Sequence, residues 1–121
     1  FNPFKDKISK SEAILDIGPK TVLKFSNLIS KAQTIFFNGP LGYFENKKFA
    51  TGSLKITQAI LKNKQALKVI GGGETIALLN GTISNFEKIP NLFVSTGGGA
   101  MLEYLANKKL PALEALKNNK V

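Results

Sequence analysis

The chain has 121 residues and carries 17 basic and 8 acidic residues, which gives a net charge of +9. It contains no cysteine and no histidine, which excludes disulfides, zinc–thiolate sites, cysteine nucleophiles and histidine-based catalysis. A hydrophobic fraction of 43% is enough to build the core of one folded domain.

The predicted elements alternate between short apolar strands and helices along the chain. Strands are predicted at residues 13–17, 34–37, 67–70 and 92–94, and helices at about 19–32, 47–63, 74–79, 100–106 and 113–116. Buried positions are expected at Val22, Leu23, Phe25, Leu28, Ile29, Phe49, Leu54, Ile60 and Leu61. The alternation predicts an α/β fold, with a parallel sheet between helices on both faces in a three-layer, Rossmann-like arrangement.

Two triglycine segments are the most informative motif. Residues 71–73 and 97–99 each follow a predicted strand and each precede a predicted helix. Glycine lets a ligand approach the backbone closely, and a helix N-terminus presents free N–H groups to an anion. Loops at the carboxyl ends of parallel strands share one edge of a sheet. The pattern therefore predicts that both segments face one multi-phosphate ligand; the alternative is that they are only tight turns.

Neither triglycine matches the common nucleotide-binding fingerprints. Ile76 and Leu102 stand where the dinucleotide motif G-x-G-x-x-G needs its third glycine. No Gly-Lys-Ser or Gly-Lys-Thr follows either segment, as a Walker-type loop requires. The sequence thus disfavours both a Rossmann dehydrogenase and a Walker-type ATPase.

Glu74 and Thr75 come directly after the first triglycine. A carboxylate repels a phosphate at this position unless a cation joins them. Mg²⁺ binds to one or two carboxylates together with phosphate oxygens, so Glu74 is a candidate Mg²⁺ ligand. Thr75 is a candidate hydroxyl donor to the same phosphate. The alternative is that Glu74 only stabilises the first turn of a helix.

Residues 38–45, NGPLGYFE, form a second candidate binding loop between a strand and a helix. Phe44 offers an apolar face, and Glu45 can accept two hydroxyl hydrogen bonds. The combination suits a ribose diol beside an adenine ring, although an ordinary loop explains it equally well.

Upstream, residues 16–21 read DIGPKT. Asp16 ends a predicted strand, and the residues after it favour a structural turn and a helix cap.

These motifs together resemble the phosphoglycerate kinase family. The chain reads DIGPKT at 16–21, NGPLGYFE at 38–45, GGGET at 71–75, STGGGA at 95–100 and LPALEAL at 110–116. The family carries similar segments in the same order and at similar spacing. The resemblance extends over nearly the whole chain.

The resemblance implies how the chain is organised. Phosphoglycerate kinases have two α/β domains, of which the C-terminal one binds MgADP or MgATP. Residues 1–121 are then the second half of that C-terminal domain, and residues 107–121 are the tail that packs toward the N-terminal domain. The implied protein is a cytoplasmic monomer, of which this chain is a fragment.

The resemblance also implies the residues that hold the nucleoside. Glu45 matches the carboxylate that binds the ribose, and Asn38 lies near the nucleotide phosphates. Pro40 and Phe44 help to wall the adenine site. These assignments are implied by the family's motif and not by spacing alone.

The implied phosphate-binding residues are the glycines of both triplets. Gly72 and Gly73 present backbone N–H groups to the nucleotide phosphates, with Thr75 beside them. Gly97 and Gly98, with the helix they precede, point at the phosphoryl group in transfer. Phosphoryl transfer needs positioning and charge stabilisation more than a nucleophilic side chain, which suits a chain without histidine or cysteine.

Two positions depart from the family's pattern. The resemblance implies that Glu74 binds Mg²⁺, but the family usually has aspartate there, so the longer side chain changes the metal geometry. Ile14 stands where the family commonly has a glycine that admits the adenine, and its side chain is expected to crowd that site. The chain also has no arginine, whereas the family binds phosphoglycerate through basic residues of the N-terminal domain.

The implied function is reversible phosphoryl transfer between 1,3-bisphosphoglycerate and ADP in glycolysis, giving 3-phosphoglycerate and ATP, with Mg²⁺ as cofactor. The fragment alone is expected to be inactive. The alternative is a homologue that binds nucleotide without catalysis. A third hypothesis, a nucleic-acid-binding domain, depends on the positive charge alone. Because the 17 basic residues are all dispersed lysines, we expect a solvated surface and no nucleic-acid or membrane partner.

Overall fold

The structure is a computed structural model that describes residues 7–81 and 86–119. The start of the chain, residues 82–85 and the last two residues of the predicted tail lie outside the described residues. Within the described ranges the α-helices and strands follow the order α1 (Pro19–Ile29), β1 (Thr34–Asn38), α2 (Thr51–Lys62), β2 (Leu67–Gly71), α3 (Gly73–Asn80), β3 (Leu92–Ser95), α4 (Gly98–Leu105) and α5 (Pro111–Asn118). Among the described helices, none is long and apolar enough to cross a bilayer.

The three strands form one parallel sheet in the order β1-β2-β3. Asn38 pairs with Gly71, and Gly71 pairs with Ser95 on the third strand. These three residues end their strands at the same level. The register therefore brings the loop that follows each strand to one edge of the sheet, as the alternating pattern predicted.

One face of the sheet carries the core. Ile35, Phe37 and Ile70 are buried together with Ile56 and Ile60 from α2. Residues paired in a parallel register share a face, and the intervening positions point to the other side. On that second face Phe36 is 48% exposed and Phe93 is 61% exposed. The prediction of an α/β fold is confirmed. The helices cover the core face of the sheet more completely than the face that carries Phe36 and Phe93.

The second face is contacted by α4 at its carboxyl end. A Cβ atom built on Gly71 would lie 2.5 Å from the Cε atom of Met101 in α4. Gly71 belongs to the face that carries Phe36 and Phe93, because it alternates with buried Ile70. Helices thus lie on both faces of the sheet, and α4 covers the edge where the candidate loops meet.

The predicted strand at residues 13–17 is wrong. No strand is assigned there, because the backbone is held by other contacts: the carbonyl of Leu15 accepts the Tyr43 N–H at 2.8 Å. The predicted helix at 47–63 is divided into a 3₁₀ turn, Lys47–Phe49, and α2. Ala50 lies between the two with φ −90° and ψ −11°, and α2 begins at the next residue.

Helix α1 ends earlier than predicted, at Ile29. The side-chain amide of Asn63 donates to the carbonyls of Ile29 and Ala32 at 2.8 and 2.9 Å. These hydrogen bonds satisfy backbone carbonyls at and just beyond the helix C-terminus. Leu23 and Leu28, expected to be buried, are 64% and 60% exposed. The helix packs through its Val22 and Ile29 side, so the periodicity identified the apolar residues but not which of them are covered.

Lys68 is fully buried within β2. Its Nζ atom donates to the backbone carbonyl of Asn63 at 2.7 Å. Burial lowers the pKa of Lys68 below its ordinary value of 10.5, because desolvation disfavours the charged amine. Lys68 points to the core face, two residues before Ile70, and lies at the end of the strand away from the glycine loops.

Candidate functional site

The first triglycine has a backbone that requires glycine. Gly72 has φ +94° and ψ 136°, a conformation that L-residues with a side chain rarely adopt. Its N–H donates to the carbonyl of Ser95 at 3.0 Å, which ties this loop to the end of β3. Helix α3 begins at Gly73, where an added Cβ would meet nothing within 4 Å. The N-terminus of α3 is therefore open to a ligand on this side.

The second triglycine packs directly against the first. A Cβ built on Gly98 would lie 2.7 Å from the N atom and 2.8 Å from the Cα atom of Gly72, and it would also meet the Asn38 side chain. Gly97 has an ordinary φ of −86°, and Gly99 faces open space. The two loops thus form one continuous backbone surface at the carboxyl edge of the sheet.

Asn38 lies where the two loops meet. Its Oδ1 atom is 2.9 Å from a Cβ built on Gly71 and 3.3 Å from one built on Gly72. The residue is exposed, although it is the last of strand β1. The structure thus places Asn38 beside both glycine loops, and its position near nucleotide phosphates stays a prediction.

Thr75 is fully buried, and its hydroxyl has a partner within the protein. The Oγ1 atom accepts the N–H of Gly39 at 2.9 Å. Gly39 has φ +90° and begins the loop at residues 39–45. Thr75 therefore ties that loop to α3, a structural role that the sequence did not predict; its contact with a nucleotide stays a prediction.

Glu74 lies in the first turn of α3 with an exposed side chain. Within the described part of the chain it has no hydrogen-bond or ion-pair partner. No group of three or more acidic or other metal-ligating residues occurs among the described residues. A Mg²⁺ ion at Glu74 would therefore take most of its ligands from a bound phosphate and from water, a donor set that Mg²⁺ accepts. The described residues can therefore hold Mg²⁺ when a nucleotide supplies phosphate oxygens as further ligands.

The loop at residues 39–45 is held by hydrogen bonds to three other segments. Besides the Gly39 bond to Thr75, the N–H of Leu41 donates to Ser53 Oγ at 2.8 Å, and the N–H of Tyr43 donates to the carbonyl of Leu15 at 2.8 Å. Glu45 is exposed, and Pro40 and Phe44 are half-buried. The sequence did not identify Ser53 as an anchor, because a buried serine in a helix has no distinguishing spacing.

A cavity of about 550 Å³ lies between the segment that precedes α1 and Phe49. It is lined by Lys7, Ile8, Glu12, Ala13, Ile14, Leu15, Asp16 and Phe49. Ile14 stands on its wall with 61% of its surface exposed, and its place beside an adenine stays a prediction. Pro40 and Phe44 are not among the lining residues, so the cavity does not join them to Ile14. The sequence missed Phe49 here, since it was interpreted only as a core residue.

Comparisons with known proteins agree on one family. The family model for phosphoglycerate kinase matches residues 3–108. Phosphoglycerate kinase from Koribacter versatilis is 47% identical over 111 residues, which is 92% of this chain and 27% of the relative. That from Dictyoglomus turgidum is 42% identical over 113 residues, 93% of this chain and 28% of the relative.

Solved structures give the same result. Phosphoglycerate kinase from Coxiella burnetii matches with a TM-score of 0.75 and 40% identity, covering 88% of this chain and 26% of that structure. The enzyme from Pyrococcus horikoshii matches with a TM-score of 0.76 and 36% identity, covering 88% and 25%. The chain spans about a quarter of the length of the relatives it matches. Since the family model covers most of the sequence, the chain belongs to the phosphoglycerate kinase family.

Proposed function

We propose that this chain supplies the Mg²⁺-nucleotide half of a phosphoglycerate kinase. The parent activity is reversible phosphoryl transfer between 1,3-bisphosphoglycerate and ADP, giving 3-phosphoglycerate and ATP in glycolysis, in a cytoplasmic monomer. The observation that carries the proposal is the shared edge of the sheet, where Asn38 and both triglycine loops come into contact. The family's motifs and the geometry then point to the same surface.

The phosphates of the nucleotide bind where α3 and α4 begin. Each helix N-terminus has unpaired N–H groups and a partial positive charge, and neither has a side-chain cap that would occupy them. Gly73 and Gly99 leave open space beside the backbone, so oxygen atoms can approach closely. Two helix N-termini on one surface suit a chain of phosphates better than a single anion.

Glu74 is the residue of this chain that would hold Mg²⁺. It sits one residue after Gly73, so a cation between its carboxylate and a phosphate removes their repulsion. When bound, the ion neutralises charge on the phosphoryl group in transfer. The chain's own contribution is to hold that group in line by backbone N–H groups of the two loops, which costs no reorganisation during the reaction.

The nucleoside is assigned to Glu45, at the end of the loop at residues 39–45, and to the cavity beside Ile14. Glu45 is free to accept the ribose hydroxyls, and the cavity beside Ile14 and Phe49 offers an apolar wall for the base. Thr75 holds the loop against α3 through Gly39. The loop thus joins a phosphate subsite to a nucleoside subsite.

The acid substrate must be bound elsewhere. The chain has no arginine. A lysine ammonium lacks the planar guanidinium group that forms bidentate hydrogen bonds with a carboxylate or a phosphate. We place those groups in an N-terminal domain of a longer protein, toward which residues 107–121 would pack. The 121-residue chain alone is therefore expected to show no kinase turnover.

A second candidate function is nucleotide binding without catalysis. Two observations favour it: Glu74 replaces the family's usual aspartate, and the Ile14 side chain lies on the cavity wall where the family commonly has glycine. A longer carboxylate displaces the cation, and a larger wall residue reduces the space for the base. Neither change removes the backbone N–H groups of the triglycine loops.

A chimeric enzyme separates the two functions. This chain replaces the matching 111 residues of the Koribacter versatilis enzyme, and turnover is followed in a coupled assay against the parent enzyme. The kinase proposal predicts turnover that needs Mg²⁺. A folded chimera that binds MgADP but turns over only after Glu74→Asp would establish the second function. A folded chimera that fails to bind MgADP would overturn both.

A further inference from the structure

Asp16 connects two segments that are distant in sequence. Its Oδ2 atom accepts the N–H of Gly52 at 2.8 Å, 36 residues away, while its Oδ1 atom accepts the N–H of Ile17 at 2.8 Å. Gly52 is the second residue of α2, and the N-cap residue of that helix, Ala50, makes no side-chain cap. Asp16 therefore acts as the N-cap of a helix to which it does not belong.

The carboxylate of Asp16 fits into a space that two glycines leave for it. A Cβ built on Gly42 would lie 2.5 Å from Oδ1 of Asp16 and 2.5 Å from the carbonyl oxygen of Phe49. A Cβ built on Gly52 would also meet Oδ1, and would lie 2.5 Å from Cγ1 of Ile17. Since Gly42 lies in the loop at residues 39–45, Asp16 is enclosed between that loop and the first turn of α2.

The contacts around Asp16 fix the loop from the side away from the glycine edge. Tyr43 donates to the carbonyl of Leu15, the residue before Asp16, and Leu41 donates to Ser53 in the same first turn of α2. Glu45, two residues after Tyr43, is exposed and has no hydrogen-bond partner among the described residues. The place of its carboxylate therefore depends on how firmly residues 41–43 are held.

We propose that Asp16 is a positioning residue for nucleoside binding. Both of its oxygens already accept backbone N–H groups, so although Asp16 also lines the cavity beside Ile14, it acts on the ligand chiefly by holding the segments around it. It holds Glu45 and the cavity beside Ile14 at a fixed separation, so that a ribose and a base meet both at once. This inference rests on the proposed function, because it assigns the nucleoside to that loop.

A double-mutant cycle tests the proposal on the full 121-residue chain. Asp16→Asn retains the size of the side chain but places an NH₂ group against a backbone N–H, and Glu45→Gln weakens the ribose contact. Binding of Mg²⁺-ADP and of Mg²⁺-tripolyphosphate, which lacks a nucleoside, is measured by calorimetry for each variant. Glu103→Gln removes one exposed charge from α4 and serves as the control.

We expect Asp16→Asn to weaken ADP binding by roughly tenfold, because a loop displaced by about 1 Å loses its alignment with the ligand. Tripolyphosphate binding should change less than about twofold, since the glycine loops are untouched. In the Glu45→Gln background, Asp16→Asn should weaken ADP binding less than it does in the wild-type chain, because part of its effect passes through the Glu45 contact. Gly42→Ala, which presses on the same carboxylate from the loop, should reproduce the selective loss if Asp16→Asn does not fold.

The outcomes that overturn the inference differ from those that overturn the proposed function. If Asp16→Asn weakened the binding of ADP and of tripolyphosphate by the same factor, Asp16 would be a general structural residue. The same conclusion would follow if the losses of ADP-binding free energy in Asp16→Asn and Glu45→Gln were fully additive. Unchanged ADP binding in Asp16→Asn, with Glu45→Gln weakened, would overturn the positioning role alone. A folded wild-type chain that does not bind Mg²⁺-ADP would overturn the proposed function and this inference together.

Discussion

Residues 71–73 and residues 97–99 have the same sequence and the same setting between a parallel strand and a helix, but they use their glycines differently. In the first triplet the middle glycine, Gly72, is the helix N-cap with φ +94°, and α3 begins at the third glycine. In the second triplet the first glycine, Gly97, is the N-cap with φ −86°, and α4 begins at Gly98. The second helix therefore starts one residue earlier within its triplet.

The difference shows that identical motifs can require glycine for different reasons. Gly72 is required by its backbone angle, whereas Gly98 is required because it packs against the backbone of Gly72. Gly73 and Gly99 meet no neighbour, so neither conformation nor packing explains them. An open glycine at a helix N-terminus is what a closely approaching phosphate needs, so we predict that Gly73 and Gly99 serve a ligand whereas Gly72 and Gly98 serve folding.

Gly98→Ala is expected to have the largest effect on stability. Its Cβ would meet backbone atoms of Gly72 at 2.7 and 2.8 Å, which cannot move as a side chain would. We expect the free energy of unfolding to fall by about 3 kcal/mol in urea titrations. Gly99→Ala, one residue later in open space, is the control and should leave stability unchanged. Equal losses in the two variants would contradict the close contact between the loops.

Gly72→Ala is expected to cost about 2 kcal/mol of unfolding free energy, since alanine must adopt φ +94°. Gly97→Ala occupies the corresponding N-cap with an ordinary φ and nearest neighbours at 3.8 and 4.0 Å. It should change stability by less than about 0.5 kcal/mol. If the two N-cap variants lose the same stability, the conformational difference between the loops is not the cause.

Gly73→Ala should separate ligand binding from folding. The added methyl group enters open space, so the unfolding free energy should not fall. The same methyl group stands where phosphate oxygens approach, so Mg²⁺-ADP affinity should fall by roughly tenfold, or about 1.4 kcal/mol. Gly81→Ala, at the other end of α3, is the control. Unchanged affinity in Gly73→Ala would remove this glycine from the phosphate site.

Thr75→Val tests the hydrogen bond by which α3 holds the loop at residues 39–45. Valine keeps the shape but leaves the N–H of Gly39 without its acceptor, which should cost about 1 kcal/mol in chemical denaturation. Thr75→Ser keeps the hydroxyl and should retain more of the stability. A loss in Thr75→Ser with none in Thr75→Val would mean that the methyl group of Thr75, and not its hydroxyl, holds the loop.

The strands before the two loops differ in one further respect, the buried Lys68 of β2. Folding lowers the pKa of Lys68, so between that lowered pKa and 10.5 the unfolded chain holds more protons on this amine than the folded chain, and the free energy of unfolding that this group contributes rises with pH. The stability of Lys68→Met relative to wild type should therefore fall by a small amount between pH 7 and pH 10.5. A stability difference that is constant or grows with pH would contradict the lowered pKa.

Periodicity and loop chemistry predicted most of the fold. The parallel strands at residues 34–37, 67–70 and 92–94 are confirmed, and each helix core was located because its apolar spacing is local. The apolar run at 13–17 was misread, since a short run does not reveal whether a partner strand exists beside it. Leu15 instead contacts the loop at residues 39–45, and Asp16 contacts the first turn of α2. Both partners lie more than 25 residues away in the sequence.

Motif order predicted the candidate site better than its supporting contacts. Asn38 and both triglycines meet as expected, because parallel strands bring the loops after them to one edge. The anchors formed by Asp16 and Thr75 join positions 36 residues apart, and no spacing rule encodes such pairs. The same limit applies to the cavity beside Ile14, which only the folded chain assembles.

The measurement that tests the central claim most directly is an NMR titration of the chain with Mg²⁺-ADP. The claim is that the two triglycine loops form one phosphate-binding surface. The amide signals of Gly72, Gly73, Gly97 and Gly98 should then shift together and saturate at one dissociation constant, and the shifts should depend on Mg²⁺. Shifts confined to one triplet, or a well-dispersed spectrum that ADP leaves unchanged, would contradict it.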